Sequence, residues 1–275
     1  MFDLPQGVVH LWFLFPDAWE EPILRQAAVP LLAEEERVRM EQFRFPRHRR
    51  LYLASRFLLR TTLSRYADVP PRGWRFASGE KGKPRLDKPL AGVVPLGFNL
   101  SHTPGAAVVG VAKKGRIGVD MEQADRPARA GELVKRFISP EEKSLLEKLP
   151  PGRLRTLFPR YWTLKEAYVK ALGRGLSHPL DSFSFFLSEE EPHRIVFSGE
   201  AGTSPGTWRF ALIAPRPQTV AALAVSSVAA AAPVALRCFL MSPSGETEPL
   251  VGKMFGLSAG IVREGGAAIS GAEEP

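Results

Sequence analysis

At 275 residues and 44% hydrophobic content, the chain is long enough for one large domain or two of ordinary size, each with its own core. A formal charge of +8 and a pI of about 9.8 favour an anionic partner: nucleic acid, a phosphorylated cofactor or an acidic protein. One cysteine, Cys238, excludes an intramolecular disulfide and a cysteine-based zinc site, and suits a reducing cytoplasm.

The N-terminus, Met1-Phe2-Asp3-Leu4-Pro5, has neither a basic region nor a long apolar core, so no secretion signal is expected. Val8–Phe15 predicts a strand, closed by Pro16 and Asp17. Leu31–Phe43 predicts a helix, and Pro46 opens a second one that runs to about Tyr66 with Leu51, Leu53, Ala54, Phe57, Leu58 and Leu63 at helical spacing. This region is basic: between Arg37 and Arg60 lie eight arginines and one acid, Glu41. Trp74–Ala77 then reads as a strand and Glu80–Leu86 as a turn or hairpin. Gly97–Leu100, Ala106–Ala112 and Arg116–Glu122 read as strands.

The second half repeats that order. Glu132–Phe137 and Pro140–Lys148 predict helices, the latter opened by Ser139 as N-cap with Glu142 at N3, a capping-box pattern. Arg155–Leu172 predicts a long helix, interrupted near Pro159 and stopped by Gly173. Strands follow at Ser182–Leu187, Thr207–Ile213 and Val220–Ser226. The longest apolar stretch, Val220–Leu236, contains Ser226, Ser227 and Pro233 and reads as a buried strand rather than a membrane span. The fold class is α+β: two similar lobes, residues 1–115 and 116–228, each with helices packed on an antiparallel sheet. Residues 229–275, rich in Ala, Gly, Ser and Glu, predict a loosely ordered tail.

Two acidic motifs carry the chemistry. In Gly118-Val119-Asp120-Met121-Glu122 the two carboxylates sit at i and i+2 of a strand and point the same way, opposite to Ile117 and Val119. Such like charges repel unless a cation lies between them; the alternative is a solvated strand face. In the helix after it, Trp162, Glu166 and Lys170 recur every four residues and form one stripe. That stripe could equally be an ion pair beside a core tryptophan. Together, Asp120, Glu122 and Glu166 offer the hard oxygens that Mg²⁺ takes when substrate phosphates complete its shell. Lys81-Gly82-Lys83-Pro84 places two lysines on a turn where the backbone can approach a ligand. Ser101 and His102 end a strand without a G-x-S-x-G elbow, so they suit hydrogen bonding to a phosphate or nucleobase better than nucleophilic attack. Arg49, Arg50, Arg56 and Arg60 could hold phosphate or form a solvated helix face.

Four patterns in one order, Gly82-Lys83-Pro84, Phe98-Asn99-Leu100-Ser101-His102, Gly118-Val119-Asp120-Met121-Glu122 and Trp162-x-x-Lys165-Glu166-Ala167-x-x-Lys170, resemble the signature of the Sfp-type 4′-phosphopantetheinyl transferases. The resemblance covers about Val8 to Ser227. It implies a monomer of two lobes related by a pseudo-twofold, with coenzyme A in the cleft between them. It implies Mg²⁺ held by Asp120, Glu122 and Glu166. Lys83, Ser101 and His102, with an arginine near Arg50 or Arg56, match positions that hold the nucleotide phosphates. Lys170 matches a pyrophosphate-binding lysine, Lys165 a supporting one, and Glu142 a further acid. Glu166 or Glu142 would take the proton from a serine of an apo acyl or peptidyl carrier protein, an acidic partner suited to the arginine-rich helix. Two rival readings fit parts of the pattern: a Mg²⁺-dependent nuclease or phosphodiesterase, and a non-catalytic pair of lobes that binds an acidic protein. Against the nuclease, basic and aromatic residues do not interleave as in nucleic-acid grooves, and no nucleic-acid or membrane partner is expected.

Overall fold

The computed structural model describes residues 1–78, 84–87, 94–113, 115–124, 137–175, 178–199, 207–226 and 232–263. Strand β1 (Val8–Leu14) is followed by three helices, α1 (Glu21–Ala28), α2 (Glu34–Glu41) and α3 (Pro46–Leu63). A short hairpin, β2 (Phe76–Ser78) and β3 (Pro84–Leu86), leads to β4 (Gly97–Thr103), β5 (Ala106–Ala112) and β6 (Ile117–Gln123). Helices α4 (Pro140–Leu146) and α5 (Pro151–Leu172) precede β7 (Ser184–Leu187), β8 (His193–Ser198), β9 (Trp208–Ala214) and β10 (Thr219–Ser226). The chain closes with β11 (Val234–Met241), β12 (Thr247–Pro249), β13 (Lys253–Leu257) and β14 (Ile261–Arg263).

These elements make four layers. One six-stranded sheet has the order β12-β11-β1-β5-β4, with β14 also on β11; the other runs β6-β10-β9-β13-β8-β7. The period-two alternation of the strands sorts their side chains into three cores. Trp12 and Leu14 of β1 with Val109 and Val111 of β5 face α3, where Leu53, Phe57 and Leu58 cover them. Val9, Leu11 and Phe13 face the opposite way and meet Ile117, Val119 and Met121 of β6 and Leu223 of β10, so the two sheets pack face to face. On the far side Ala222 and Ala224 of β10 lie under α5, against Leu164, Ala167 and Tyr168. Both long helices begin with proline in the first turn, where a missing N–H costs nothing. The α+β class is as the sequence predicts, with a long helix on the outer face of each sheet.

Three expectations need correction. Helix α5 runs unbroken from Pro151 through Pro159, its local partner being the Thr163 hydroxyl, which donates to the Pro159 carbonyl at 2.8 Å. The sheets are not purely antiparallel: β1–β11, β11–β14 and β8–β13 are parallel pairs. The expected loose tail is ordered across 232–263. β11 docks along β1 from Val8↔Ala235 to Phe13↔Leu240, and β13 lies between β9 and β8. The cause is alternation within β11: Val234, Leu236 and Cys238 enter the core between the sheets, and Phe239 and Met241 enter the core under α3. No helix among the described residues is long and apolar enough to cross a membrane.

Candidate active site

The acidic cluster sits where the edges of the two sheets meet, β4 from one and β6 from the other. Asn99 closes that seam: its buried Oδ1 accepts the Val119 backbone N–H at 2.8 Å. Two residues on, the same face of β4 presents Ser101 to Asp120. On β6 the alternation sends Ile117, Val119 and Met121 into the core between the sheets, so Gly118, Asp120 and Glu122 face α5. Gly118 is there because no side chain fits. A Cβ at this position would collide with the Ala167 carbonyl oxygen and the Ala171 nitrogen, so glycine alone lets the helix lie on the strand. That approach places Glu166 and Lys170 over Asp120.

Asp120, only 5% exposed, uses one oxygen fully and leaves the other bare. Its Oδ1 accepts from Lys170 Nζ at 2.6 Å and from Ser101 Oγ at 3.0 Å, and Lys170 also donates to Ser101 Oγ at 2.9 Å. Its Oδ2 is buried with no hydrogen-bond partner, and so is Glu166 Oε1. Orphaned buried carboxylate oxygens are uncommon and costly. Burial first, and then the charges of Asp120 and Glu122, push the Glu166 carboxyl up to about 7, with Lys170 opposing. Glu122 is half-buried beside them. Among the described residues no group of three His, Cys, Asp or Glu side chains stands ready to chelate an ion. The bare oxygens and the mutual repulsion of Asp120, Glu122 and Glu166 nonetheless suit a hard divalent cation, which would relieve both.

His102 lies on the other face of β4, toward α3. Its edge reaches solvent, yet crowding by protein, followed by the charges of Lys170 and Arg56, holds its pKa below the usual imidazole range. Arg56 therefore stands near the site, although its guanidinium also pairs with Glu36 at 3.6 Å and covers the Tyr52 ring.

Comparison with known proteins gives the family. A family model described as "4′-phosphopantetheinyl transferase superfamily" matches residues 116–224, and one described as "4′-phosphopantetheinyl transferase, N-terminal" matches 19–115. The 4′-phosphopantetheinyl transferase HetI of Nostoc sp. is 36% identical over 218 residues, spanning 79% of this chain and 87% of HetI. The chain belongs to the 4′-phosphopantetheinyl transferase family. A 4′-phosphopantetheinyl transferase of Bacillus subtilis is 32% identical over 159 residues, 58% of this chain and 68% of that one. The crystal structure of Thermotoga maritima holo-[acyl-carrier-protein] synthase overlaps 41% of this transferase and 62% of its own chain, with a TM-score of 0.32 and 24% identity.

Of the other residues expected in the site of this transferase, Lys83 lies outside the described residues. Arg50 is committed to the fold: it donates to the Pro16 carbonyl at 2.8 Å and to the Trp19 carbonyl, with Glu21 3.6 Å away. Lys165, expected beside the coenzyme, is 0% exposed, and its Nζ meets Glu142 Oε2 at 2.8 Å, Leu180 O at 2.6 Å and Phe183 O at 2.7 Å. Glu142, expected as an acid of the reaction, is equally sealed. Its Oε2 also accepts the Ser139 N–H at 3.0 Å, and its Oε1 the Phe185 N–H at 2.7 Å. Burial pushes the Glu142 carboxyl up and the Lys165 ammonium down, against their mutual attraction. Two positions escaped the sequence reading, Asn99 and Gly118. Both stood inside quoted motifs, but their jobs depend on neighbours distant in the chain.

Proposed function

We propose that this chain transfers the 4′-phosphopantetheine group of coenzyme A to a serine of an apo acyl or peptidyl carrier protein, as a monomer, and releases adenosine 3′,5′-bisphosphate. The observation that carries this reading is the pair of bare oxygens, Asp120 Oδ2 and Glu166 Oε1, backed by Lys170 and Ser101 at one seam. Asp120, Glu122 and Glu166 would hold Mg²⁺. Bound there, the ion supplies charge stabilisation for the pyrophosphate of coenzyme A.

The protein's own groups do the rest. Lys170 and Ser101, already in contact, present an ammonium and a hydroxyl to the pyrophosphate oxygens, and His102 with Arg56 faces the nucleotide phosphates from the α3 side. The serine oxygen of the carrier attacks the phosphorus that bears pantetheine. The bond from that phosphorus to the bridging oxygen breaks, and the bisphosphate leaves with the electron pair. With Glu142 sealed in the core, Glu166 is the carboxylate left at the seam to take the serine proton. The carrier approaches a basic corner between α2 and α3, where Arg44 and Arg47 stack on the exposed ring of Phe45 at 5.7 and 5.3 Å. An acidic carrier is steered by such a corner.

The test is the intact mass of an apo carrier protein after incubation with the protein, coenzyme A and Mg²⁺. A gain of one phosphopantetheine with wild type and none with Glu166→Ala is the expected result. If apo carriers from fatty-acid, polyketide and peptide assembly all keep their mass, the proposal fails.

A further inference from the structure

The pair Lys165–Glu142 lies beneath the site and touches none of it. Lys165 Nζ has three protons and three acceptors: Glu142 Oε2, Leu180 O and Phe183 O. Glu142 answers Lys165, Ser139 N–H and Phe185 N–H, and around it Ser139 Oγ meets Ser184 Oγ at 2.8 Å. Lys165 keeps no donor for a phosphate oxygen, Glu142 has both carboxylate oxygens engaged, and both side chains are 0% exposed. The lysine thus ties α5 to the start of α4 and to residues 180 and 183, and its partner Glu142 reaches on to Phe185 of β7.

The same fixture recurs in the first half of the chain. Glu36 stands at N3 of α2 and accepts its own N-cap N–H from Ala33 at 3.1 Å, as Glu142 does at N3 of α4. Each of these glutamates also pairs with a buried cation on the long helix that follows: Glu36 with Arg60 at 2.7 Å, Glu142 with Lys165. Arg60 gives its two Nη1 protons to the Pro71 and Trp74 carbonyls, as Lys165 gives two of its own to Leu180 and Phe183. The strands under α3 present apolar side chains, so the fixture serves there to hold a helix. Beside Lys165 it has a consequence for chemistry. Successive helix residues point about 100° apart, so a helix pinned at Lys165 on one side has Glu166 fixed in direction on the next.

We propose that Lys165 and Glu142 are positioning residues: they set the rotation of α5 so that Glu166 meets Asp120, with no contact to coenzyme A or carrier. This rests on the transferase reading, and its test separates the two. Wild type, Lys165→Met, Glu142→Gln and the charge-free double variant are compared for kcat, KM for coenzyme A and melting temperature. A buried charge left without its partner disrupts, whereas removing both is tolerated, so Lys165→Met is expected to lose more than about 100-fold in kcat and the double variant to return within about tenfold of wild type. KM for coenzyme A is expected to return to within about twofold of wild type in the double variant, where the helix is held without either charge, the mark of residues that do not bind coenzyme A themselves. A double variant that melts like wild type and stays as slow as Lys165→Met overturns the proposal, as does one that melts like wild type with KM for coenzyme A raised tenfold. Acylation of lysines in the wild-type protein gives a second reading that needs no variant to fold. Lys165 is expected to resist labelling with and without coenzyme A, while coenzyme A shields Lys170. Labelling of Lys165 that coenzyme A blocks overturns the proposal. If wild type modifies no carrier, the transferase reading fails, and the labelling still decides whether Lys165 is sealed.

Discussion

Helices α3 and α5 cover the two sheets in the same manner, and each is held by a cation paired with the capping glutamate of the short helix before it, Arg60 with Glu36 and Lys165 with Glu142. They differ in what the sheet offers in return. Under α3, strands β1 and β5 present Trp12, Leu14, Val109 and Val111, an apolar floor. Under α5, strand β6 presents Gly118, Asp120 and Glu122. The helix mounting is common to both halves, and the acidic strand makes one of them a site. Arginines on α3 show the same thing from the other side: Arg50 and Arg60 have protein partners for their guanidinium groups, although the sequence alone allows a phosphate-binding face.

The comparison breaks most severely at Gly118. Gly118→Val should push α5 away from β6, because the colliding atoms are backbone and cannot turn aside. The expected loss is on the order of 5 kcal/mol, beyond the ordinary range for a point substitution. Chemical denaturation measures it, and a Gly118→Val protein as stable as wild type would mean that the helix does not rest on the strand.

A smaller effect is expected in the half that lacks the acidic strand. Arg60→Leu leaves the Pro71 and Trp74 carbonyls without their donor and takes the closest cation from Glu36, which keeps the Ala33 N–H and Arg56, at a cost of about 2–4 kcal/mol. If α3 is scaffold, kcat measured well below the melting temperature stays within about threefold of wild type, by the rule that residues remote from the reacting atoms change stability first. A hundredfold fall in kcat with intact folding would place Arg60 in the chemistry and erase the contrast between the halves.

The contrast was partly legible in the sequence. Alternation on β6 put Asp120 and Glu122 opposite Ile117 and Val119, and four-residue spacing put Glu166 and Lys170 on one stripe; the structure keeps both arrangements. Glu142 shows where two signals compete. Its capping-box spacing with Ser139 already assigned that carboxylate to a backbone N–H, while the family resemblance assigned it to the reaction. The capping signal was the better guide to its surroundings, because an N3 glutamate folded back on its own helix has little reach left. Lys165 was unreadable for another reason. Its acceptors, Leu180 O and Phe183 O, are backbone atoms that no residue pattern announces. The strands after Ala229 were missed because their apolar residues are short and interrupted, and because β11 and β13 complete sheets whose other strands come from far earlier in the chain.

Glu166 sharpens the comparison at its finest scale, because it is a carboxylate held against its own charge. Its folded pKa, about 7, lies above the ordinary carboxylate value, so the folded protein holds a proton there that the unfolded chain releases. The stability this gives is fully present below about pH 4.5 and is lost as pH rises through about 7. Without added metal, Glu166→Gln is therefore expected to be more stable than wild type at pH 8, by on the order of 1–3 kcal/mol, and to match it near pH 4.5. Transfer should fall by about 100-fold or more in the same variant, since the base is gone. Melting curves at the two pH values, read beside the rate of carrier modification, test both halves of the claim. Equal stability of wild type and variant at pH 8 would show that Asp120, Glu122 and burial do not strain Glu166. The fixture around Lys165 would then be holding an ordinary surface glutamate, much as its counterpart holds α3.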